Sequence, residues 1–215
     1  MSCAYHLGVT SYSRAGYSRA ERTALCDLLD DLGPAAPTLC AGWTTRDLAT
    51  HLFIRERRPL AAPGILLAPL SALVEHSMSA AQQRYDYATL VAAVRGGPPI
   101  WSALRYADEQ LNLLEYFVHH EDVRRARSGW ERREIASGQQ DALWARLRAM
   151  LRLKASKGPA GIRIQRADSG DMLRVAAGQP AITMVGTPDE LVLYAFGRAA
   201  VARVGKRAGP DAVPA

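Results

Sequence analysis

Glu115 and His119 stand four residues apart in the stretch LNLLEYFVHHEDVRRA, residues 111 to 126. On a helix that separation puts two side chains on one face, about 40° apart with Cβ atoms roughly 6 Å from each other. A carboxylate and an imidazole so placed can ligate one divalent ion. They belong to a longer polar stripe of Asp108, Asn112, Glu115, His119 and Asp122, set among Leu111, Leu114, Phe117, Val118 and Val123. An unpaired polar group in an apolar interior costs roughly 2–7 kcal/mol, so the stripe needs partners. An i, i+4 Glu–His pair standing alone is commonly a solvent-facing ion pair, but these apolar flanks argue against a stripe that faces water.

A third ligand can come from a facing helix of a bundle, and His51, in TTRDLATHL, is the histidine on a well-capped neighbouring helix. A His₂Glu set with one open position is the catalytic form of a zinc site. The spacing therefore predicts His51, Glu115 and His119 as ligands of a divalent ion, zinc first, with Asp122 and Asn112 supporting them by hydrogen bonds. His120 lies about 100° round the helix from His119 and is expected behind the ligands or at the surface.

Arg55 and Arg58 follow His51 at i+4 and i+7. A solvated helix end is the plain reading; the functional one is anchoring of carboxylate groups on a substrate or a thiol cosubstrate. Cys40, near a helix start, invites a nucleophile reading, but no histidine adjoins it in sequence and a small packed residue is favoured. His6 and His76 lack comparable neighbours and are read as structural.

Several helices must carry these residues. Ser18-x-x-Glu21 reads as a capping box that opens a helix over 18–32, and Thr44 with Asp47 opens a second that reaches about Arg58. The segment 63–97 reads as one or two helices ended by Gly96, Gly97, Pro98 and Pro99. A long helix is predicted over 107–127, and another over 137–155 from Leu143, Leu147, Met150 and Leu151. Beyond SKGPAG (156–161) the runs IRIQRA, MLRVAA and AITMVG alternate with turn residues, which predicts a three-stranded meander. Thr187-Pro-Asp-Glu190 caps a last helix. The expected organisation is an N-terminal tail (1–17), a metal-binding helical bundle (18–155), a small α+β part (160–204) and a C-terminal tail (205–215).

An apolar content of 48% and a charged content of 22% fit an ordinary soluble domain. The net charge of +6 is almost wholly arginine, with lysine only at 154, 157 and 206. Its even interleaving with acids reads as a solvated surface, so no nucleic-acid partner is expected. Three widely spaced cysteines without C-x-x-C argue for a reducing cytoplasm, and neither a signal peptide nor a spanning segment is predicted.

TLCAGWTTRDLATHL followed some sixty residues later by LNLLEYFVHHEDVRRA resembles the DinB-like superfamily. More narrowly it is similar to the branch of mycothiol-dependent maleylpyruvate isomerases and related actinobacterial metal-binding proteins. The shared patterns are G-W-T-x-x-D-L-x-x-H-L and E-x-x-x-H-x-x-D. The resemblance covers about 18–155 and implies a four-helix bundle that holds a divalent ion through His51, Glu115 and His119; the β-rich end resembles the C-terminal domain that several members carry. It also points to an enzyme in which the ion activates mycothiol or another low-molecular-weight thiol for S-transfer or isomerisation of an electrophile; the protein is expected to be cytoplasmic and monomeric or homodimeric. The substrate-binding arginines of characterised members match no motif here, so the substrate stays open. The alternative is a non-catalytic metal-binding bundle that recognises a partner.

Overall fold

The structure is a computed structural model that describes residues 16–57, 71–99, 108–153, 156–157, 161–178 and 181–209. Seven helices are seen among them: α1 (Tyr17–Leu32), α2 (Thr45–Arg57), α3 (Ser71–Arg84), α4 (Tyr87–Arg95), α5 (Asp108–Arg124), α6 (Ser137–Leu153) and α7 (Pro188–Ala195). Five strands form one sheet: β1 (Ser156–Lys157), β2 (Gly161–Arg166), β3 (Met172–Ala177), β4 (Ala181–Gly186) and β5 (Gly205–Gly209). The chain is mainly α with a small α+β C-terminal part, as expected. Among the described residues no helix is long and apolar enough to cross a membrane.

Helix α5 lies between two apolar cores, which explains why its sequence lacks a clean polar face. Tyr116 and Val123, seven positions apart, join Leu25, Leu29, Leu48, Leu52, Leu90 and Val94 from α1, α2 and α4. Leu113, Leu114, Phe117 and Val118 face the other way, onto Leu143 and Leu147 of α6, Ile164 and Met184 of the sheet, and Leu191 and Val192 of α7. A helix buried on two sides carries its polar residues inward as well. Asn112, Glu121 and Asp122 are completely buried, and His119 and His120 nearly so.

Helix α2 starts as its sequence dictates. The Thr44 N–H and hydroxyl both donate to Asp47 Oδ2, at 2.9 and 2.8 Å, and the Asp47 N–H returns to Thr44 Oγ1 at 3.4 Å. This closes a reciprocal cap with Asp in the usual Glu position. The two Glu-based caps do not form. Gly16 precedes α1 without any side-chain cap, and Ser18 and Glu21 lie inside the helix, buried. Thr187 likewise makes no side-chain cap on α7. Both glutamates are taken by arginines: Glu21 by Arg133 at 2.8 Å and Glu190 by Arg125 at 2.9 Å. A charge-assisted bond in a dry setting outcompetes a cap to a backbone N–H.

The meander is also corrected. The order is β1-β3-β2-β4-β5, with β2 antiparallel to β3 but parallel to β4. After β3 the chain passes over the start of β2, close enough that a Cβ on Gly161 would stand 2.3 Å from the Gly178 carbonyl oxygen. Only glycine permits that crossing. The outer edge of β3 is filled by the short parallel β1, and β5 covers β4. Residues 205–209, expected in the C-terminal tail, are thus an edge strand, and Tyr17, expected in the N-terminal tail, is a buried residue of α1.

Candidate metal centre

His51 sits on α2 two turns past its cap, and α2 is held in place by Arg46 donating to the Gln82 carbonyl and by Gln82 donating to Asp47, both at 2.9 Å. Opposite it, α5 presents Glu115 and His119. His51 Nε2 and His119 Nε2 each lie 3.3 Å from Glu115 Oε1, and the three donor atoms fall within 4.8 Å of one another. Metal–ligand bonds of about 2.0–2.1 Å at tetrahedral angles put ligand atoms roughly 3.3 Å apart. The donor set fits one ion with a position left open.

The electrostatics agree with a place made for positive charge. Burial opposes ionisation of Glu115, yet hydrogen bonds from His119 and His51 and the charge of Arg55 hold its carboxyl well below the usual range. Burial lowers His51, so that its imidazole tends to stay neutral. Burial pulls His119 the same way, but Asp122, Cys40 and Glu115 overcome it and raise His119 well above an ordinary histidine. A His119 raised in this way gives up a proton when it becomes a ligand.

His119 is oriented from behind. Its Nδ1 lies 2.9 Å from Asp122 Oδ2, the carboxylate–histidine arrangement that fixes the tautomer and frees Nε2 as a ligand. Asp122 is in turn gripped by Arg198, whose Nε and NH2 donate to its two oxygens at 2.8 and 2.6 Å. On the other side, Arg55 donates to Asn112 Oδ1 and brings its Nε to 3.5 Å from Glu115 Oε1. The rings of Trp43 and His119 pack against His51, centroids 5.2 and 5.3 Å away.

The structure therefore brings together His51, Glu115 and His119, with Asp122 behind and Arg55 and Asn112 alongside. Arg58 lies outside the described residues. His120 points away from this cluster, but it is not a surface residue: its Nδ1 is 2.8 Å from Glu21 Oε2 of α1, in the interior. Cys40 is not a plain packing residue either, being half-buried with Sγ 3.3 Å from Asp122 Oδ2 and 3.4 Å from Arg198 NH2. Arg198 went unnoticed in the sequence, since it is 76 residues from Asp122 and stands in a short turn after α7 without any motif.

No family model matches the chain, and no curated protein matches it. Among solved structures it is similar to the mycothiol-dependent maleylpyruvate isomerase, with a TM-score of 0.54 and 19% identity over 94% of this chain and 95% of that one. A histidine-to-alanine variant of that isomerase gives a TM-score of 0.55 at 18% identity, with the same coverage. The likeness is one of fold. It spans the helices and the sheet together, so the C-terminal part is included in the shared architecture.

Proposed function

We propose that the chain is a distant relative of that isomerase: a metal-dependent enzyme that binds a low-molecular-weight thiol, mycothiol or a similar one, and directs it at an electrophilic substrate in S-transfer or thiol-assisted isomerisation. The observation that carries this reading is the convergence of two imidazole nitrogens on a single carboxylate oxygen, each at 3.3 Å, in a fold similar to a mycothiol-dependent isomerase. His51, Glu115 and His119 would hold a divalent ion, zinc by the donor set, which would supply Lewis acidity and the positive charge that favours a thiolate.

The chain's own residues account for the rest. His119 keeps Nε2 free by donating its Nδ1–H to Asp122, and Arg198 holds Asp122 in the geometry that accepts it. Glu115 balances the charge of the site without a proton, because its carboxyl is held so low. Arg55, steadied by Asn112, stands beside the ligand set and would meet a carboxylate on the substrate or the thiol. Trp43 packs over one flank of His51 and limits its rotation.

The test is elemental analysis of the purified protein joined to an assay, over a panel of electrophiles, that follows both thiol consumption and thiol-dependent isomerisation of the electrophile. The expected outcome is about one zinc per chain and thiol adducts or thiol-dependent isomerised product that disappear in His119→Ala. A protein that holds its ion but neither consumes thiol nor isomerises any electrophile in the presence of thiol would overturn the enzymatic part of the reading.

A further inference from the structure

We propose that the chain has a second metal position, formed by Cys40, His119 and Asp122, which is alternative to the first and accepts a borderline or soft divalent ion such as Zn²⁺ or Cd²⁺. The three donor atoms again lie within 4.8 Å of one another. Cys40 Sγ is 3.3 Å and His119 Nδ1 2.9 Å from the same oxygen, Asp122 Oδ2. Bonds of about 2.0–2.3 Å at tetrahedral angles put donor atoms roughly 3.3–3.5 Å apart, so an ion entering here needs the three atoms to spread by only a few tenths of an ångström, and a thiolate in the set favours softer ions than the His₂Glu set does.

Cys40 is held where this requires it. The Leu39 N–H donates to the Asp122 carbonyl at 3.0 Å, which fastens the loop before α2 to the C-terminal end of α5. Thr38 Oγ1 accepts from the Cys40 N–H at 3.2 Å and donates to the Trp43 carbonyl at 3.0 Å. The Arg198 guanidinium already rests on the Cys40 sulfur and on the Asp122 carboxylate, so a cation is accommodated at this point, and an incoming ion must displace it from Cys40. A cavity of about 390 Å³ lined by Leu39, Cys40, Ala41, Gly197 and Arg198 opens beside the sulfur and gives an ion access.

The two positions exclude each other through a single ring. A neutral imidazole has one free lone pair and one N–H. With the ion at Glu115, His119 ligates through Nε2 and donates Nδ1–H to Asp122. With the ion at Cys40, it ligates through Nδ1 and donates Nε2–H to Glu115, already 3.3 Å away. Each arrangement leaves both ring nitrogens satisfied, so moving the ion exchanges one tautomer for the other.

Co²⁺ distinguishes the positions, because only thiolate ligation gives an intense near-ultraviolet sulfur-to-metal charge-transfer band. His51→Ala weakens the first set and leaves the second whole. The expected result is one Co²⁺ bound by His51→Ala with this band, and loss of the band in the His51→Ala/Cys40→Ser double variant. The same band in the unmodified protein would also support the site. A folded His51→Ala protein, checked by circular dichroism, that shows no band at saturating Co²⁺ overturns the proposal, as does a band that survives Cys40→Ser. An independent reading on the unmodified chain is alkylation followed by peptide mass analysis: Cd²⁺ should protect Cys40, and labelling of Cys40 unchanged by Cd²⁺ overturns the site. None of these outcomes depends on catalysis, so the thiol-transfer reading stands or falls separately.

Discussion

His119 and His120 are adjacent in sequence, yet one faces the ligand set and the other the buried carboxylate of Glu21. His119→Ala should abolish metal binding, since both donor sets contain this ring. His120→Ala should keep the ion and lose stability instead, by about 1.5–3 kcal/mol for one lost hydrogen bond to a charged group, while Glu21 keeps Arg133 and Gln139. Zinc titration calorimetry and thermal melts on the two variants check this, and a His120→Ala protein without metal would overturn the orientation of α5. The proton on His119 makes a second expectation. Burial works against that proton, but Asp122, Cys40 and Glu115 raise the group well above 6.5, and a ligand must shed its proton to bind. Below the raised pKa metal competes with a proton, so apparent zinc affinity should go on rising with pH past 6.5, about tenfold per pH unit, where an ordinary histidine would level off. Asp122→Asn removes the leading favourable partner of that proton, so the rise should level off at lower pH. Its plateau affinity should be weaker by roughly 10–100-fold, as for other residues that orient a ligand. A pH profile unchanged in Asp122→Asn would show that Asp122 does not hold the proton.

At the scale of elements, helix existence was legible because periodicity and punctuation agree: the α2 cap by Thr44 and Asp47 and the stop of α4 at Gly96 follow directly from local residue chemistry. Two glutamates three residues past Ser18 and Thr187 looked like caps and were not. The arginines that recruit Glu21 and Glu190 come from 112 and 65 residues away along the chain, and local pattern cannot see them. Within the centre, the i, i+4 spacing made Glu115 and His119 readable, whereas Cys40 and Arg198 meet Asp122 only through the fold. The three long strands were legible but their order was not, since parallel and antiparallel neighbours look alike in alternation; the charged β5, paired on one side only, read as tail. Gly161 is the residue that decides the order. Gly161→Ala forces a Cβ to 2.3 Å from the Gly178 carbonyl and should cost about 3 kcal/mol or more, since backbone cannot move aside as a side chain can. Gly170→Ala, at φ +78° with open space around it, should cost only about 1–2 kcal/mol of backbone strain. Melts of the two variants in reverse order would mean that the chain does not cross over β2 as described.

For the whole molecule, the arginine excess has a different meaning from the solvated surface that composition indicated. Arg125 is buried between Glu121 and Glu190, at 2.6 and 2.9 Å. Arg133 bridges Glu121 to Glu21, at 2.7 and 2.8 Å, and Arg132 holds Asp189 at 2.9 Å. These pairs join α1, α5 and α7 through the segment between α5 and α6, so the bundle and the α+β part share one interior charge network. Such a network stabilises only while every member is paired. Glu21 is its acid-sensitive point. Burial alone would raise its carboxyl, but the hydrogen bond from His120 and the charge of Arg133 bring it down from 4.5 to about 2. A carboxyl depressed on folding adds stability above its unfolded value, here about 4.5, and loses it as pH falls toward its folded value, about 2. The depression corresponds to about 3 kcal/mol. Glu21→Gln keeps the shape but not the charge, so it should be less stable than the native protein by roughly that amount at neutral pH. The gap should close between about pH 4.5 and pH 2, because the native carboxyl then becomes neutral as well. Urea unfolding of both proteins across that range measures the difference directly. A gap that stays constant down to the acid end would mean that the loss comes from packing of the amide and not from the ionised carboxylate, and Glu21 would no longer be the place where acid opens the interior.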